Sequence, residues 1–443
     1  MSRGARDALA AMSEADREIV RRVLERADAE GVSVLLVGGP VRDLLLDRPL
    51  VDVDLLVEDP DPARASALAR AAAPEGAKLV EHARFGTASL RGADANVDFA
   101  AMRSETYAHP GALPSVAPGD LETDLARRDF SVNALALPLS RAARSRHPEV
   151  VDFHSGLEDL ANRRLRVLHK RSFHDDPTRA LRAARLVHRL GFALAPRTRT
   201  ALRSALREGC FGPVSGDRLR RELERLFVDA ARGLDPARAL RALDDWHVLA
   251  ALEPGLELPG ASLLSLRRLG RAIAEPPWKP GRWRPWMTGF GLWLGPLPSG
   301  LRRRALRRFA VRGDAAGRLA ELPRTSERAG RGLERARGRG AIDAVLGGLS
   351  EEELFSVWAT SDTAGRRRIA RYANEDRHRR LPVSGDDLVA AGLAGPAVGR
   401  ALERVRIAWL DGALSTREEA ITFAKEVARR SRRATRPRAA TQK

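Results

Sequence analysis

The hydrophobic pattern of the first 140 residues alternates between helical and strand spacing. Apolar residues recur every three or four positions from Glu14 to Glu30, which predicts an amphipathic helix. The run Val32–Val37, which is apolar except for Ser33, then predicts a buried strand. Further segments follow as helices at Val41–Leu46 and Pro62–Ala73 and as strands at Val51–Val57, Ala77–Glu81, Thr87–Leu90 and Asn96–Ala101. Together they predict an α/β unit that ends near Leu139.

From Leu157 onward, strand patterns largely vanish and helical spacing takes over. The predicted helices are Thr178–Leu190, Arg197–Arg207, Asp217–Ala231, Pro236–Leu252, Leu263–Ala274, Leu301–Val311, Glu351–Trp358, Thr363–Asn374, Gly385–Ala391, Ala397–Leu410 and Thr416–Arg430. The expected fold class is therefore α+β, in which a small mixed sheet near the N-terminus precedes an all-helical remainder.

The net charge of the chain indicates what kind of molecule it binds. The 443 residues carry a formal net charge of +19, from 77 basic and 58 acidic side chains. Such an excess indicates a polyanionic partner, because Lys and Arg neutralise phosphates and release counterions. A GC-rich genome explains the choice of Arg over Lys but not the excess over acids. The stretch from Arg429 holds seven basic residues and no acid, and we expect it to be disordered and to bind polyanions non-specifically.

Several classes of protein are disfavoured by the composition. Cys210 is the single cysteine, which predicts neither a disulfide framework nor a cysteine-based zinc site. No segment approaches 18 continuous apolar residues, and the N-terminal stretch is charged throughout. We therefore expect no signal peptide, no membrane span and a cytoplasmic enzyme. The Trp-rich stretch Trp278–Trp293, interrupted by Pro280 and Pro285, is either a packed turn, which we favour, or an RNA-stacking surface.

Two glycines and two aspartates give the first chemical signal. Gly38 and Gly39 end the first apolar run, and Asp52 and Asp54 stand two positions apart in the next run. Side chains alternate across a strand, so both carboxylates point the same way and need a neutralising cation. Mg²⁺ prefers carboxylate oxygens, while a Gly-Gly turn before a helix lets the backbone approach an anion. A solvated strand edge is the simpler interpretation, but the apolar flanks favour metal-dependent phosphoryl or nucleotidyl transfer.

The order of these residues resembles the head of the nucleotidyltransferase branch that holds bacterial tRNA nucleotidyltransferases (CCA-adding enzymes) and poly(A) polymerases. The signature GG-x-VRD-x-LL followed by D-x-D is matched at Gly38, Gly39, Val41, Arg42, Asp43, Leu45, Leu46, Asp52 and Asp54. The resemblance implies nucleotide-binding roles for Gly38, Gly39, Arg42 and Asp43. Asp47 replaces the Gly that usually follows the helix, and Asp tolerates the left-handed conformation that this position favours.

A third carboxylate is expected at Asp98, on a strand beside Asp52 and Asp54. The family places its third carboxylate shortly before an Arg that is Arg103 here, and the resemblance gives that Arg a nucleotide contact. A strand-edge Asp is the alternative. Three carboxylates would hold two Mg²⁺ ions, of which one activates the 3′-hydroxyl of an RNA primer and the other binds the triphosphate.

Two further segments extend the resemblance into nucleotide recognition. DLARRDFSVNALAL resembles the segment that closes the nucleotide pocket, and it implies contacts from Arg127, Arg128, Asp129 and Asn133. SFHDDPTRALRAARL resembles the family's base-reading segment, and it implies nucleotide contacts from Asp176, Arg179, Arg182 and Arg185. Apart from the resemblance, the segment DLARRDFSVNALAL would be interpreted only as a charged loop before an apolar helix.

The side chains of Asp176 and Arg179 could recognise a base through their hydrogen-bonding groups, independently of the resemblance. Three residues apart on a helix, the two side chains face each other. A carboxylate only accepts hydrogen bonds and a guanidinium only donates them, so the pair fits the amine and ring nitrogen of cytosine or adenine. Uracil and guanine present the opposite pattern. A structural interpretation is compatible with this one, with Asp176 as N-cap and Pro177 at the first helical position.

A fourth segment, SGDRLRRELERLF, resembles a family helix in which Arg218 and Glu222 lie four residues apart. We expect these two side chains to pair with each other as scaffold. His174 and Asp175 form the dipeptide HD, but the further His and Asp residues of an HD phosphohydrolase motif do not appear in the sequence. No HD phosphohydrolase domain is therefore predicted. The stretch Ser384–Ala420 resembles the C-terminal region of bacterial tRNA nucleotidyltransferases more weakly.

The sequence thus predicts four parts. They are a catalytic head over residues 1–140, a nucleotide-recognition neck over 141–230, a tRNA-binding body and tail over 231–428, and a basic tail over 429–443. The resemblance implies template-independent addition of C and/or A from CTP and ATP, with Mg²⁺, to the 3′ acceptor end of tRNA. The alternatives are a poly(A) polymerase, an enzyme that adds only CC or only A, and an inactive RNA-binding relative.

Overall fold

The computed structural model describes residues 4–59, 61–82, 86–92, 95–273, 275–278 and 283–434. The chain divides into two compact units. The first unit comprises Met1–Glu222 and Ala242–Pro254, and the second comprises Leu223–Arg241 and Gly255–Lys443. A mixed sheet in the first unit and helices in the second confirm the α+β class.

The strands of the first unit are β1 (Ser33–Val37), β2 (Val53–Glu58), β3 (Lys78–His82), β4 (Thr87–Arg91), β5 (Asn96–Ala101), β6 (Arg103–Thr106), β7 (Ser115–Pro118), β8 (Ala136–Pro138), β9 (Arg164–Leu165) and β10 (Ala193–Leu194). Six of them form one sheet in the order β3-β4-β5-β2-β1-β8. The β2 and β5 strands pair in parallel and the other neighbours in this sheet pair antiparallel. The β6 and β7 strands form a separate hairpin that the hydrophobic pattern did not predict.

The helices of the first half of the chain are α1 (Ala5–Ala11), α2 (Glu14–Glu30), α3 (Gly39–Leu45), α4 (Ala63–Ala72), α5 (Leu121–Ala126), α6 (Arg141–Arg146), α7 (Gly156–Ala161), α8 (Ser172–Asp175), α9 (Arg179–Leu190), α10 (Pro196–Arg207), α11 (Gly216–Val228), α12 (Pro236–Asp245) and α13 (Val248–Leu252). The Ser13 side chain caps α2, and Gly31 ends it in the left-handed conformation. The predicted single helix Pro236–Leu252 was wrong, because the chain breaks at His247, where φ is +62°.

Burial of the sheet explains its strand patterns. All five residues of β1 are buried, which matches the apolar run Val34–Val37 that follows Ser33. The β5 strand alternates between buried and partly exposed residues, so one of its faces can carry polar side chains. The predicted strand start at Val51 was wrong, since Val51 is 42% exposed and β2 begins at Val53.

The second unit contains α14 (Ser262–Ala272), α15 (Pro285–Leu294), α16 (Ser299–Arg308), α17 (Gly313–Arg335), α18 (Gly338–Leu346), α19 (Glu351–Thr360), α20 (Thr363–Asn374), α21 (Gly385–Ala390), α22 (Pro396–Leu410) and α23 (Arg417–Ala434). Its core holds an aromatic cluster in which Trp293 stacks on Phe309, with ring centroids 6.0 Å apart. Trp278 and Trp283 are buried as well. Core packing of the Trp-rich stretch is thus confirmed, although α15 replaces the expected turn; Pro280 and Ala274 lie outside the described residues.

The basic tail begins later than we expected. Arg429 and Arg430 belong to α23, which continues to Ala434, so the prediction of disorder from Arg429 was wrong for this part. Ala420, Ala424 and Ala428 recur every four residues and are buried, so a continuous apolar stripe holds the helix in place. Residues 435–443 lie outside the described residues.

Candidate active site

The Gly-Gly turn joins β1 to α3. Gly38 has φ of +76°, a conformation that favours glycine, and an added Cβ would lie 2.7 Å from Nη1 of Arg128. Glycine at this position therefore lets an arginine lie directly over the backbone. The α3 helix starts at Gly39, and Asp47, with φ of +54°, adopts the left-handed conformation expected after it.

The carboxylates meet on adjacent strands. Asp54 of β2 and Asp98 of β5 are directly paired in the parallel register, so their side chains lie on the same face of the sheet. Asp52 lies in the bend before β2 and is exposed, and Nδ2 of Asn96 donates to its Oδ1 at 2.5 Å. The β2–β5 pairing places Asp54 beside Asp98, whereas Asp52 lies before β2, so the prediction of one strand that carries both Asp52 and Asp54 was wrong.

The Asp54 carboxyl has a strongly raised pKa. Its pKa is raised to about 6, mainly by burial and also by the negative charges of Asp98 and Asp52, while the positive charges of Arg128 and Arg91 oppose the increase. A bound cation would remove both destabilising effects, because it replaces the lost hydration and neutralises the repulsion.

The residues present fit a magnesium site after a small rearrangement. Their ligand atoms are all carboxylate oxygens, which hard cations prefer. In the described part of the chain the three groups do not yet converge within 4.8 Å. Asp98 is held away by Arg91 at 2.7 Å and accepts from Oγ of Ser89 at 2.5 Å. The side chains of Arg91 and Asp98 are 41% and 39% exposed, so releasing this pair costs only about 1 kcal/mol or less.

The shifted pKa of Asp54 predicts an inverted pH dependence in metal-free protein. A carboxyl whose pKa rises on folding from 3.8 to about 6 favours the folded state when protonated, so its contribution is lost as the pH rises between these values. The shift corresponds to about 3 kcal/mol at most, and to less here because Asp54 is partly exposed.

Asp54→Asn should therefore be more stable than the parent protein at pH 7.5 in EDTA, and the difference should shrink at pH 5. Urea unfolding at both pH values measures the two free energies. A variant that is equally destabilised at both would show that Asp54 is not under electrostatic strain.

Two arginines are fixed beside the Gly-Gly turn by one buried carboxylate. Asp124 of α5 is fully buried and accepts from Arg127 at 2.7 Å and from Arg128 at 3.0 Å. Burial alone would raise the pKa of Asp124, but Arg128 and Arg127 outweigh burial and lower it. Glu105 of β6 accepts from Arg127 at 2.9 Å and from Arg103 at 3.0 Å. Both arginines of the RRDF segment are thus held in place as cations.

A chain of hydrogen bonds links α3 to the RRDF segment. Nη1 of Arg42 donates to Oδ1 of Asn133 at 2.5 Å, and Nδ2 of Asn133 donates to Oδ1 of Asp129 at 2.9 Å. Arg42 also donates to Asp43, whose other oxygen accepts from Arg189 of α9 at 2.9 Å.

Asp176 holds two further arginines. Its carboxylate accepts from Arg182 at 3.1 Å, from Arg218 at 2.9 Å and from the backbone N–H of Thr178 at 3.0 Å. Burial would raise the pKa of Asp176, but Arg182, Thr178 and Arg218 together lower it. Asp176 caps the turn that leads into α9, whose regular part begins at Arg179. Arg182 also lies 3.4 Å from Asp129 and thereby joins the two carboxylates.

Arg179 does not contact Asp176 through its side chain as the helical spacing suggested. It is 3% exposed, and its guanidinium donates to Oγ of Ser172 at 2.5 Å and to the carbonyl of Arg127 at 2.8 Å. The two side chains nevertheless line the same cavity.

That cavity has a volume of about 390 Å³, which suits a small-molecule ligand. It is lined by Gly38, Gly39, Glu105, Tyr107, Pro114, Arg127, Arg128, Asp129, Asn133, Asp176, Arg179, Arg182 and Arg218. Five arginines against three acids favour an anionic ligand. Among the described residues, the buried Nε–H groups of Arg128, Arg179 and Arg182 have no hydrogen-bond partner, and a ligand can supply one.

Some predicted site residues lie beside the cavity instead of lining it. Arg42, Asp43 and Arg103 support it through the contacts described above, and Arg185 donates to Glu222 at 3.2 Å. Conversely, the sequence interpretation did not select Glu105, Tyr107, Pro114 and Arg218 as site residues. Arg218 donates to Asp176 and to the carbonyl of Gly111, so the pair expected between Arg218 and Glu222 is replaced by one that reaches the site.

Comparison with known proteins agrees with this geometry. Residues 34–166 match the poly A polymerase head domain. The chain is 34% identical over 398 residues to a CC-adding tRNA nucleotidyltransferase of Deinococcus radiodurans, covering 89% of this chain and 90% of that protein. It is 31% identical over 406 residues to an A-adding tRNA nucleotidyltransferase of Geobacter sulfurreducens, but it spans only 45% of that protein's length.

Similarity also extends over the whole fold. A structure titled as the complex of a CCA-adding enzyme with ATP superposes with a TM-score of 0.71 at 26% identity, covering 99% of both chains. The fold and the site thus define a nucleotidyltransferase with a head of the poly(A) polymerase type. The chain belongs to the bacterial tRNA nucleotidyltransferase family. In the ranges that the structure describes, no helix is both long and apolar enough to cross a membrane.

Proposed function

We propose that this protein adds C, A or both from CTP and ATP to the 3′ end of tRNA without a nucleic-acid template. One observation carries the proposal: the arginine-lined cavity adjoins the Gly-Gly turn, and Arg128 lies over Gly38 while its charge acts on Asp54. A triphosphate in the cavity would therefore be next to the carboxylates. A tRNA substrate would place the activity in the cytoplasm.

Asp52, Asp54 and Asp98 would hold Mg²⁺, and the partly exposed Arg91–Asp98 pair would open on binding. Bound Mg²⁺ activates a hydroxyl nucleophile and stabilises the charge of a leaving pyrophosphate. Arg127 and Arg128, fixed by Asp124, would orient the triphosphate and neutralise its charge. The close approach of Arg128 to Gly38 and its electrostatic effect on Asp54 support a role for Arg128 in joining the nucleotide and metal sites.

Nucleotide choice would depend on Asp176 and Arg179, both in the cavity wall. The Asp176 carboxylate would accept from the exocyclic amine of cytosine or adenine, and Arg179 would donate to the ring nitrogen. Arg182, Arg218 and Thr178 already hold Asp176 ionised, so it presents an acceptor and no donor. Uracil and guanine, which offer a carbonyl there, would be repelled.

An incorporation assay with tRNAs truncated at different points of the CCA end will show which nucleotides the protein adds. The purified chain is incubated with tRNAs lacking the whole CCA end, the last two nucleotides or only the terminal A, and with each NTP alone or CTP plus ATP. We expect addition of C, A or CCA that stops at the mature end. Long A tracts on any RNA would identify a poly(A) polymerase instead, and no incorporation into any substrate would contradict the proposed activity.

A further inference from the structure

Three side chains of different ligand chemistry meet at the C-terminal end of α10. They are His174 of α8, Glu208 and Cys210, and one ligand atom of each lies within 4.8 Å of the other two. Nε2 of His174 is 2.8 Å from Oε2 of Glu208. In the described part of the chain, no other three His, Cys, Asp or Glu side chains approach one another this closely. None of the three lines the nucleotide cavity.

The turn after α10 explains how two of these residues are presented together. Gly209 has φ of +68°, the N–H of Cys210 donates to the carbonyl of Ala205, and the N–H of Gly209 donates to that of Leu206. This pair of bonds is a Schellman motif, which ends a helix with a fixed backbone. Glu208 consequently lies at the surface, while Cys210 turns back into the protein interior.

His174 is the observation that points to a ligand. It is only 4% exposed, and its Nδ1 has no hydrogen-bond partner among the described residues, whereas its Nε2 pairs with Glu208 at 2.8 Å. Buried polar groups without partners are rare, and each needs an explanation. Glu208 is also oriented, because its Oε1 accepts from Oγ of Ser204 at 2.8 Å and its Oε2 lies toward His174.

The chemistry of the three groups selects the kind of ion. Imidazole nitrogen and thiolate sulfur suit Zn²⁺ and related transition metals, whereas Mg²⁺ and Ca²⁺ prefer oxygen alone. Ligand atoms around a tetrahedral zinc ion lie about 3.3–3.7 Å apart, so small side-chain rotations would complete the set. The Glu208 side chain is 51% exposed, which leaves room for water as a fourth ligand.

We propose that His174, Glu208 and Cys210 bind one transition-metal ion of the Zn²⁺ class. On binding, the metal–sulfur bond replaces the S–H bond of Cys210, and the proton leaves to solvent. His174 lies two residues before Asp176, and Ser172 of the same short helix binds Arg179. The ion would therefore tie the segment that carries Asp176 and Arg179 to the end of α10.

Cobalt spectroscopy tests the site directly, because Cys210 is the only cysteine of the chain. The full-length protein is freed of metal with a chelator and titrated with Co²⁺. We expect a thiolate-to-cobalt charge-transfer band that saturates at one ion per chain and disappears when Zn²⁺ is added. Cys210→Ser should abolish the band, and Glu208→Gln should weaken Co²⁺ binding about tenfold or more. Glu75→Gln, at an exposed position remote in sequence, should change nothing.

Failure would be equally clear. Absence of the band in the parent protein, or a Co²⁺ affinity unchanged in Glu208→Gln, would overturn the proposal. Glu208 is at the surface, so this variant stays informative even if Cys210→Ser is poorly folded. The readout uses neither nucleotide nor tRNA, so it is independent of the proposed enzymatic function.

Discussion

Asp54→Asn will lower nucleotide incorporation about a thousandfold, because it removes one of the carboxylates proposed to bind the metal. The amide keeps the shape of the side chain and removes a negative charge whose burial is unfavourable. Incorporation of labelled CTP and ATP into truncated tRNA measures the effect under saturating Mg²⁺. Asp314→Asn, at a side chain that is 80% exposed on α17, is the matched control and should be fully active.

Stability separates this result from misfolding. Asn at position 54 should leave the metal-free protein at least as stable as the parent at pH 7.5, so lost activity together with retained stability would identify a metal ligand. Activity within a few fold of the parent would show that the β2–β5 carboxylates are not the metal site.

Asp176→Asn will reduce discrimination between CTP and UTP about 10- to 100-fold. An amide can donate as well as accept, so the carbonyl of uracil is no longer repelled, and the expected change is about 1.4–2.7 kcal/mol. The comparison needs kcat/KM for CTP and for UTP on the same tRNA. Arg179→Ala should also reduce selectivity, but Arg179 is 3% exposed and anchors two segments, so Asp176→Asn is the cleaner test.

An equal loss of activity with CTP and with UTP would contradict this prediction. If CTP and UTP incorporation fall by the same factor, Asp176 only anchors Arg182 and Arg218 and does not read the base. Asp314→Asn serves again as control.

The sequence alone was sufficient to predict the structural elements that depend on short local patterns. The body of the β2 strand and the Gly38 turn follow from short patterns of apolar and small residues, whereas the left-handed Asp47 and the place of Asp98 beside Asp54 were implied by the family resemblance. Asp176 and Arg179 were expected to face each other on one helix, but the helix begins only at Arg179 and their side chains have other partners. Local spacing cannot show which distant group competes for a side chain.

Other features depended on tertiary context. Glu105 and Tyr107 come from the β6–β7 hairpin, which is too short and too polar to give a periodic pattern, and Arg218 reaches Asp176 across 42 residues. The α17 helix was missed because Pro323 and several glycines interrupt its pattern, yet its buried Leu319, Leu322 and Leu333 hold it in the core. The cluster of His174 with Cys210 also joins residues whose separation no cysteine-spacing rule covers.

The linked charges of the cavity have an evolutionary consequence. Asp129, Arg182, Asp176 and Arg218 form an unbroken series of alternating sign, so each charge is the partner of the next. Removing an inner member, Arg182 or Asp176, takes one partner from each of its two neighbours and lowers the stability of the protein. Effects of substitutions at these neighbouring charges will therefore not add. We therefore expect a lineage that changes nucleotide preference at this site to combine a substitution in the series with a compensating one, or to alter the loops around the series.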